Sequence, residues 1–553
     1  MTDPRLSRRL FLQGSALSLG TAALARPAWA DGAPALITSD AVRPVAAQGV
    51  QFGDPTQGAT LLWSRADRAS RMIVEWSLDE SFRKARKVVG PYALEEGDFT
   101  VRQDLVGLPA GHEVFVRVQF QGLDNARVMS EPVLGRFTVP STRSRDLRFV
   151  WGGDTAGQGW GINTAFGGMK IYEAMRLREP QFFLHSGDTI YADGPIRESV
   201  TAENGQLWTN LVTPEVAKVA ETLDEFRGRY RYNLLDDNVR RFNAEVPQIW
   251  QWDDHEVTNN WSDAKDLSAD ARYTEKNVPL LTARGTRAFL DYAPMRPFTA
   301  VESQRVYRKL SHGPQLDVFV IDMRSYRGPN TFNRQTEAGP DTAFLGAEQI
   351  AWLKAELKRS KATWKVIASD MPLGLQIGDG KDAEGRARWE GPANGDGPAL
   401  GRELEIADLL RFIKRERVRN TVWLTADVHY CAAHRYDPAK AQFQDFEPFW
   451  EFVAGPLNAG SFGPNALDNT FGPQVVFQKA PPAGQANLSP YAGLQFFGEV
   501  NIDRWSHALT VDFRDINGVS IFSKTLQPVH GLFGGRDQDR AWGRNVDDES
   551  EQG

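Results

Sequence analysis

Between Trp252 and Trp261 the chain reads Trp-Asp-Asp-His-Glu-Val-Thr-Asn-Asn-Trp, crowding acids, an imidazole and amides behind the apolar run Val246–Trp250. Similar residues end other apolar runs: Asp154 after Gly153, Asp188 after Gly187 with Tyr191 three positions on, Asp370, and Asp427 with His429. Carboxylates this dense repel one another unless cations neutralise them, and a carboxylate can bridge two ions. The chemistry implied is hydrolysis at a pair of hard or borderline metal ions, which lower the pKa of a shared water and clamp a phosphoryl oxygen. The single cysteine, Cys431, excludes a multi-cysteine zinc site and an intramolecular disulfide framework.

Positions so far apart in sequence meet only if rigid elements deliver them to one place. The apolar runs LRFVWGG, QFFLHSG, VPQIWQW, LDVFVID, WKVIASD and TVWLTAD read as buried strands. Amphipathic stretches such as NTAFGGMKIYEAMRLRE, LGAEQIAWLKAELKRS and RELEIADLLRFIKRER lie between them. Apolar strands alternating with helices predict an α/β core whose sheet is covered on both faces. Loops at the C-terminal ends of such strands converge on a crevice, so the polar clusters are expected to form one site. The stretch from Ser199 to Arg240 reads as a mainly helical insertion, and residues 376 to 400 as a long flap without a P-loop pattern. Near the end, FGEVNIDRW and ALTVDFRDINGVSIF read as strands, with a hairpin turn at Asp515–Gly518.

Ahead of this core, Pro44 to Pro140 alternates short β-type runs with turn signals, as a small β-sandwich does, and Val139–Asp146 reads as the boundary. At the N-terminus, Arg8 and Arg9 precede a short apolar run and Ala28-Trp29-Ala30, the pattern of a cleaved twin-arginine export signal. The expected organisation is a signal over 1–30, a β-sandwich over 40–142, a catalytic domain over 145–534 and a charged tail over 535–553. A periplasmic or secreted location and passage through the twin-arginine machinery follow. No later run approaches the roughly 20 apolar residues of a membrane helix. The net charge of −7, without a basic stripe, argues against a nucleic-acid polymer as partner.

The order of these motifs resembles the calcineurin-like metallophosphoesterase superfamily, and within it the PhoD-type alkaline phosphatases. The matching pieces are GDTIY, the segment from Asn233 to Trp261, IDMRSYRG, LTADVHY and FVAGPLNAGSF, and the resemblance spans nearly the whole mature chain. It implies a four-layer sandwich, two sheets flanked by helices, behind an N-terminal fibronectin- or immunoglobulin-like β-sandwich. It also implies that Asp188 bridges two metals, that Tyr191 binds Fe3+ as a phenolate, and that His429 joins it there. Asp154 takes the place of a cysteine ligand in the best-known branch. Asp254 stands where the family has an asparagine ligand and Asp427 where it has a histidine, which shifts the second site toward Ca2+ or another hard ion, with Zn2+, Mn2+ or Mg2+ as alternatives. Asp370 aligns loosely with a histidine ligand, and Asn259 is a further candidate. His255 matches the catalytic histidine, which donates a proton to the leaving alkoxide or bonds a phosphate oxygen. Arg296 and Arg324 are either phosphate clamps or structural ion pairs. Asp253, Glu256 and the other asparagine are read as support for these groups.

The expectation is therefore an exported, metal-dependent phosphoesterase acting on small-molecule or lipid phosphomonoesters or phosphodiesters. A phospholipase-type phosphodiesterase working on lipid or polymer headgroups is the alternative within that chemistry. A non-catalytic metal- or phosphate-binding export protein is the alternative outside it.

Overall fold

The computed structural model describes residues 40–262 and 264–529. The expected export signal, 1–30, and charged tail, 535–553, lie outside the described residues.

Seven strands come first: β1 (Val50–Thr56), β2 (Ala59–Arg65), β3 (Ser70–Ser77), β4 (Arg86–Ala93), β5 (Thr100–Val106), β6 (Glu113–Gly122) and β7 (Val133–Thr138). Alternation in β6, where Val114, Val116, Val118 and Phe120 are buried and their neighbours are not, gives one dry face. That face of the sheet β4-β3-β6-β7 packs on β1, β2 and β5 through Phe52, Leu62 and Val101.

Next come β8 (Leu147–Gly152), α1 (Lys170–Arg176), β9 (Phe182–Ser186), β10 (Ser199–Thr201), β11 (Leu207–Thr209), α2 (Leu223–Asn233), α3 (Asp237–Glu245), β12 (Gln248–Gln251) and α4 (Val278–Tyr292). The insertion thus opens with a β10–β11 hairpin, correcting its mainly helical reading; helices begin only at Thr222, whose side chain and Glu225 form a capping box. The chain continues through β13 (Arg308–His312), β14 (Leu316–Val320), α5 (Ala347–Arg359), β15 (Trp364–Ala368), β16 (Gly378–Lys381), β17 (Ala387–Trp389), α6 (Glu403–Arg415), β18 (Thr421–Thr425), β19 (Cys431–Tyr436), β20 (Phe449–Val453), β21 (Pro473–Lys479), β22 (Phe496–Ile502), β23 (Leu509–Asp515) and β24 (Ser520–Leu526).

Two large sheets result. One runs β24-β23-β22-β8-β9-β12-β1-β2-β5 and the other β13-β14-β15-β18-β20-β19-β21. Phe149, Trp151 and Ile249 of the first meet Val318, Val366 and Leu424 of the second in a dry core. Helices α1 to α4 pack on the outer face of the first sheet and α5 and α6 on that of the second, completing a helix–sheet–sheet–helix sandwich. Ile350, Leu353 and Leu357 on α5, and Ile406, Leu410 and Ile413 on α6, give each helix a single apolar stripe for this contact. The N-terminal module is sewn to the sandwich, because β1 pairs in parallel with β12 at Gly53 and Gln248. Half of the β-sandwich is thereby a continuation of the first large sheet.

Strands β8, β9 and β12 are parallel to one another, as are β14, β15, β18 and β20. The two sets end at a shared edge. There Leu457 and Asn458, following β20, donate backbone hydrogen bonds to the carbonyls of Gly153 and Asp154 at 2.9 and 3.0 Å. The loop of one sheet is thus tied to the loop of the other.

Candidate metal and catalytic site

The side chains that end β8, β9, β12 and β18 converge on this edge. Ligand atoms of Asp154, Asp188 and His429 lie within 4.8 Å of one another, and so do those of Asp188, Asp254 and His255. Asp188 belongs to both groups, the arrangement a bridging carboxylate requires. The backbone is bent to present them: Asp154, Asp188, Asp427 and His429 have φ of 69°, 51°, 66° and 61°, a left-handed conformation that non-glycine residues rarely adopt.

In the first group, both carboxylate oxygens of Asp154 are buried without a hydrogen-bond partner. His429 Nδ1 bonds the Gly460 carbonyl, which turns Nε2 toward the Tyr191 hydroxyl at 2.9 Å and an Asp154 oxygen at 3.9 Å. Burial, then the charges of Asp253 and Asp254 beside Asp154, and of Asp254 and Asp253 beside Asp188, push both carboxyls well above their ordinary range. Burial and the charges of Asp188 and Asp154 raise the Tyr191 phenol as well. Orphaned, mutually repelling oxygen donors of this kind fit hard cations, whose charge removes the penalty.

In the second group, His255 Nδ1 bonds Asp193 Oδ1 at 2.6 Å, while its Nε2 lies 3.9 Å from Asp254 Oδ1. Burial lowers the pKa of this histidine, but the charges of Asp193 and Asp254 outweigh it and carry it up to about 10. Burial opposes ionisation of Asp254, yet His255, Arg324 and the Asn260 amide together bring it down to about 2. Beneath the site, Glu256 accepts from the amides of Thr189 at 2.6 Å and Asp253 at 2.9 Å, pinning the β9 loop to the β12 loop.

Asp427 and Asp370 end their strands here but join neither ligand group among the described residues. Asp427 feels the charges of Asp253, Glu390 and Asp254. Asp370 is fully buried with neither oxygen hydrogen-bonded, and one of them forms an ion pair with Arg324 Nε at 3.5 Å.

Three candidate residues make other contacts among the described residues. The Asn259 side chain is exposed; its backbone amide serves the site instead, donating to Asp193 Oδ2 at 3.0 Å. Arg296 pairs with Asp104 at 2.7 Å, and its amide donates to Asp54 at 2.8 Å, so it anchors the N-terminal module. Arg324 is fully enclosed, its guanidinium binding Asp253 and Glu390 and facing Asp370, the structural ion-pair arrangement of its two alternatives.

Asp193 and Glu390 escaped the sequence reading. Asp193 lies two residues beyond Tyr191, and the need of a catalytic imidazole for an orienting acid was the available signal. Two glycines also matter through close approach: a Cβ on Gly157 would overlap the Tyr191 ring, and one on Gly455 would overlap the Asp154 carboxylate.

A double-sheet sandwich presenting buried acids, a histidine and a tyrosine at one strand edge is a metallophosphoesterase fold with candidate metal-binding clusters. The family models agree on which branch: the PhoD-like phosphatase model matches residues 149–513, and the PhoD-like phosphatase N-terminal domain model matches residues 31–140. The chain belongs to the PhoD-like phosphatase family and is a phosphoric ester hydrolase. It is 26% identical over 448 residues to alkaline phosphatase D of Bacillus subtilis (strain 168), covering 76% of this chain and 71% of that one. A solved structure of PhoD superposes with a TM-score of 0.63 at 20% identity, covering 87% of this chain and 88% of the other. A purple acid phosphatase from yellow lupin (Lupinus luteus) seeds shares the fold with a TM-score of 0.52 at 13% identity, covering 88% and 74% respectively.

Proposed function

We propose that this phosphoesterase is a metal-dependent alkaline phosphatase of the D type, exported by the twin-arginine route to the periplasm or beyond. Its substrates are small-molecule or lipid phosphomonoesters and phosphodiesters. The observation that carries the reading is Asp188 shared between two ligand groups, one of which adds a tyrosine hydroxyl beside His429. Asp154, Asp188, Tyr191 and His429 would hold Fe3+, which favours an anionic phenolate donor. Asp188 and Asp254, with Asp427 beside them, would hold a hard second ion such as Ca2+. When bound, these ions supply Lewis acidity, neutralising the acids and polarising the phosphoryl group.

The chain's own residues do the rest. Asp193 holds the imidazole of His255 by Nδ1, which leaves Nε2 to deliver a proton to the departing alkoxide as a water oxygen bonds to phosphorus and the ester P–O bond breaks. Glu256 and the Arg324 cluster keep the β12 loop rigid, which preserves the spacing of Asp254 and His255.

Elemental analysis paired with a visible absorption spectrum tests the metal assignment. The expected result is iron with a tyrosinate charge-transfer band that Tyr191→Phe removes. A colourless, active, all-zinc protein would refute it, and iron-loaded protein that hydrolyses no phosphoester would refute the catalytic reading.

A further inference from the structure

At the edge of the second large sheet opposite the catalytic one, where β15 and β18 begin, lies a cavity of about 340 Å3 bordered by the ends of α5 and α6. Five lining side chains are cationic, Lys358, Lys361, Lys365, Arg417 and Arg419, against one acid, Glu416. That acid is occupied, pairing with Lys358 at 2.7 Å and Arg415 at 3.3 Å. Lys365 donates to the Ala362 carbonyl at 2.7 Å. Lys361, Arg417 and Arg419 have no ion pair among the described residues, in a chain whose net charge is −7.

Helix electrostatics explain only part of this. Cations in the last helical turn meet the negative end of the dipole, which accounts for Lys358 on α5 and Arg415 on α6. The effect fades beyond that turn, and Lys361, Arg417 and Arg419 all lie past the helix ends. Arg417 is moreover held at a cost. After α6 the amide of Val418 bonds the Ile413 carbonyl at 2.9 Å and that of Arg417 bonds Lys414 at 3.1 Å, the two closures of a Schellman motif. Arg417 occupies its left-handed position with φ 54°, where glycine is the unstrained choice. An arginine there trades backbone strain for a charge at the cavity. Burial, reinforced by the Lys361 charge against that of Asp317, lowers the Lys365 ammonium, a penalty a bound anion would relieve.

We infer that this cavity is an anion-binding site, remote from the catalytic edge, for a ligand carrying two or more phosphate charges. Three cations without an ion pair among the described residues, around one concave surface, match the charge of such a group better than that of a monoanion. The site would hold the enzyme on phosphate-bearing material while the opposite edge performs hydrolysis.

Methylenediphosphonate, which resists hydrolysis, titrated into the full metal-loaded chain and into the triple variant Lys361→Ser, Arg417→Gly, Arg419→Ser tests this. The wild type should show a binding component outside the catalytic site that the variant weakens about ten- to a hundredfold at low salt, while p-nitrophenyl phosphate turnover is unchanged. Arg417→Gly alone should raise Tm by relieving the strained backbone, which shows that the variant folds. Cosedimentation with cardiolipin vesicles, whose headgroup carries two phosphates, but not with phosphatidylcholine vesicles, and its loss in the variant would assign the phosphates to a lipid headgroup; diphosphonate binding without cosedimentation would assign them to a soluble ligand. Equal diphosphonate affinity in both proteins, or binding to neither probe, overturns the inference. Wild-type turnover reports on the proposed function separately.

Discussion

Asp193→Asn isolates what the orienting acid contributes. The carboxylate accepts two hydrogen bonds at once, from His255 Nδ1 at 2.6 Å on one oxygen and from the Asn259 amide at 3.0 Å on the other. Asparagine has a single acceptor. If its oxygen keeps the Asn259 bond, its NH2 group faces Nδ1 and the imidazolium loses its counter-charge; if it keeps the histidine, two donors oppose each other at Asn259. The first outcome forfeits a charge-assisted hydrogen bond worth ~1.5–3 kcal/mol, which corresponds to a fall in kcat of ~10–150-fold. KM and metal content should hardly change, since Asp193 lies in neither ligand group. The assay compares p-nitrophenyl phosphate, whose leaving group departs readily without a proton, with an alkyl phosphate, whose leaving group does not. The variant should lose far more activity on the alkyl ester. An equal loss on both substrates would refute proton delivery by His255, and no loss on either would refute the orienting role of Asp193.

Other perturbations probe separate parts of the molecule. Arg324→Met leaves Asp253 and Glu390 buried without their cation and should cost ~3–5 kcal/mol of stability, read as a lower denaturation midpoint. Arg296→Met should lower Tm by removing the Asp104 pair while kcat/KM stays at the wild-type value; a selective rise in KM would return Arg296 to the site. Gly157→Ala should displace the Tyr191 ring and cut activity, together with the charge-transfer band proposed for Tyr191, with circular dichroism of the fold unchanged. For pH, burial resists ionisation of Asp98, but Arg65 at 2.8 Å, the Tyr292 hydroxyl and Arg231 at 2.7 Å hold its carboxyl below the usual range. A depressed folded pKa gives stability that is full above the unfolded value of about 4 and lost as pH falls through the folded one. Asp98→Asn should therefore be less stable at neutral pH and show a shallower acid-induced fall in Tm.

Residue types and their spacing were enough to place the strands and the residues at their ends. An apolar run such as Phe182–Leu184 marks a buried strand whatever its neighbours, so Asp188 follows it at a sheet edge. The amphipathic stripes of α5 and α6 were equally legible, because their 3.6-residue period is a local property. Other features depended on partners distant in the chain. Apolar runs do not say which sheet they join, so the division into two sheets rests on the pairing of β12 with β9 and β1 and of β14 with β15. A guanidinium binds a carboxylate as readily as a phosphate, and only the fold put Arg296 against Asp104 and enclosed Arg324 among Asp253, Asp370 and Glu390. Asp193 drew its role from a bond to a side chain 62 positions away. The string at Trp252 to Trp261 thus announced its chemistry in residue types, while the division of labour within it was set by what folding placed opposite each side chain.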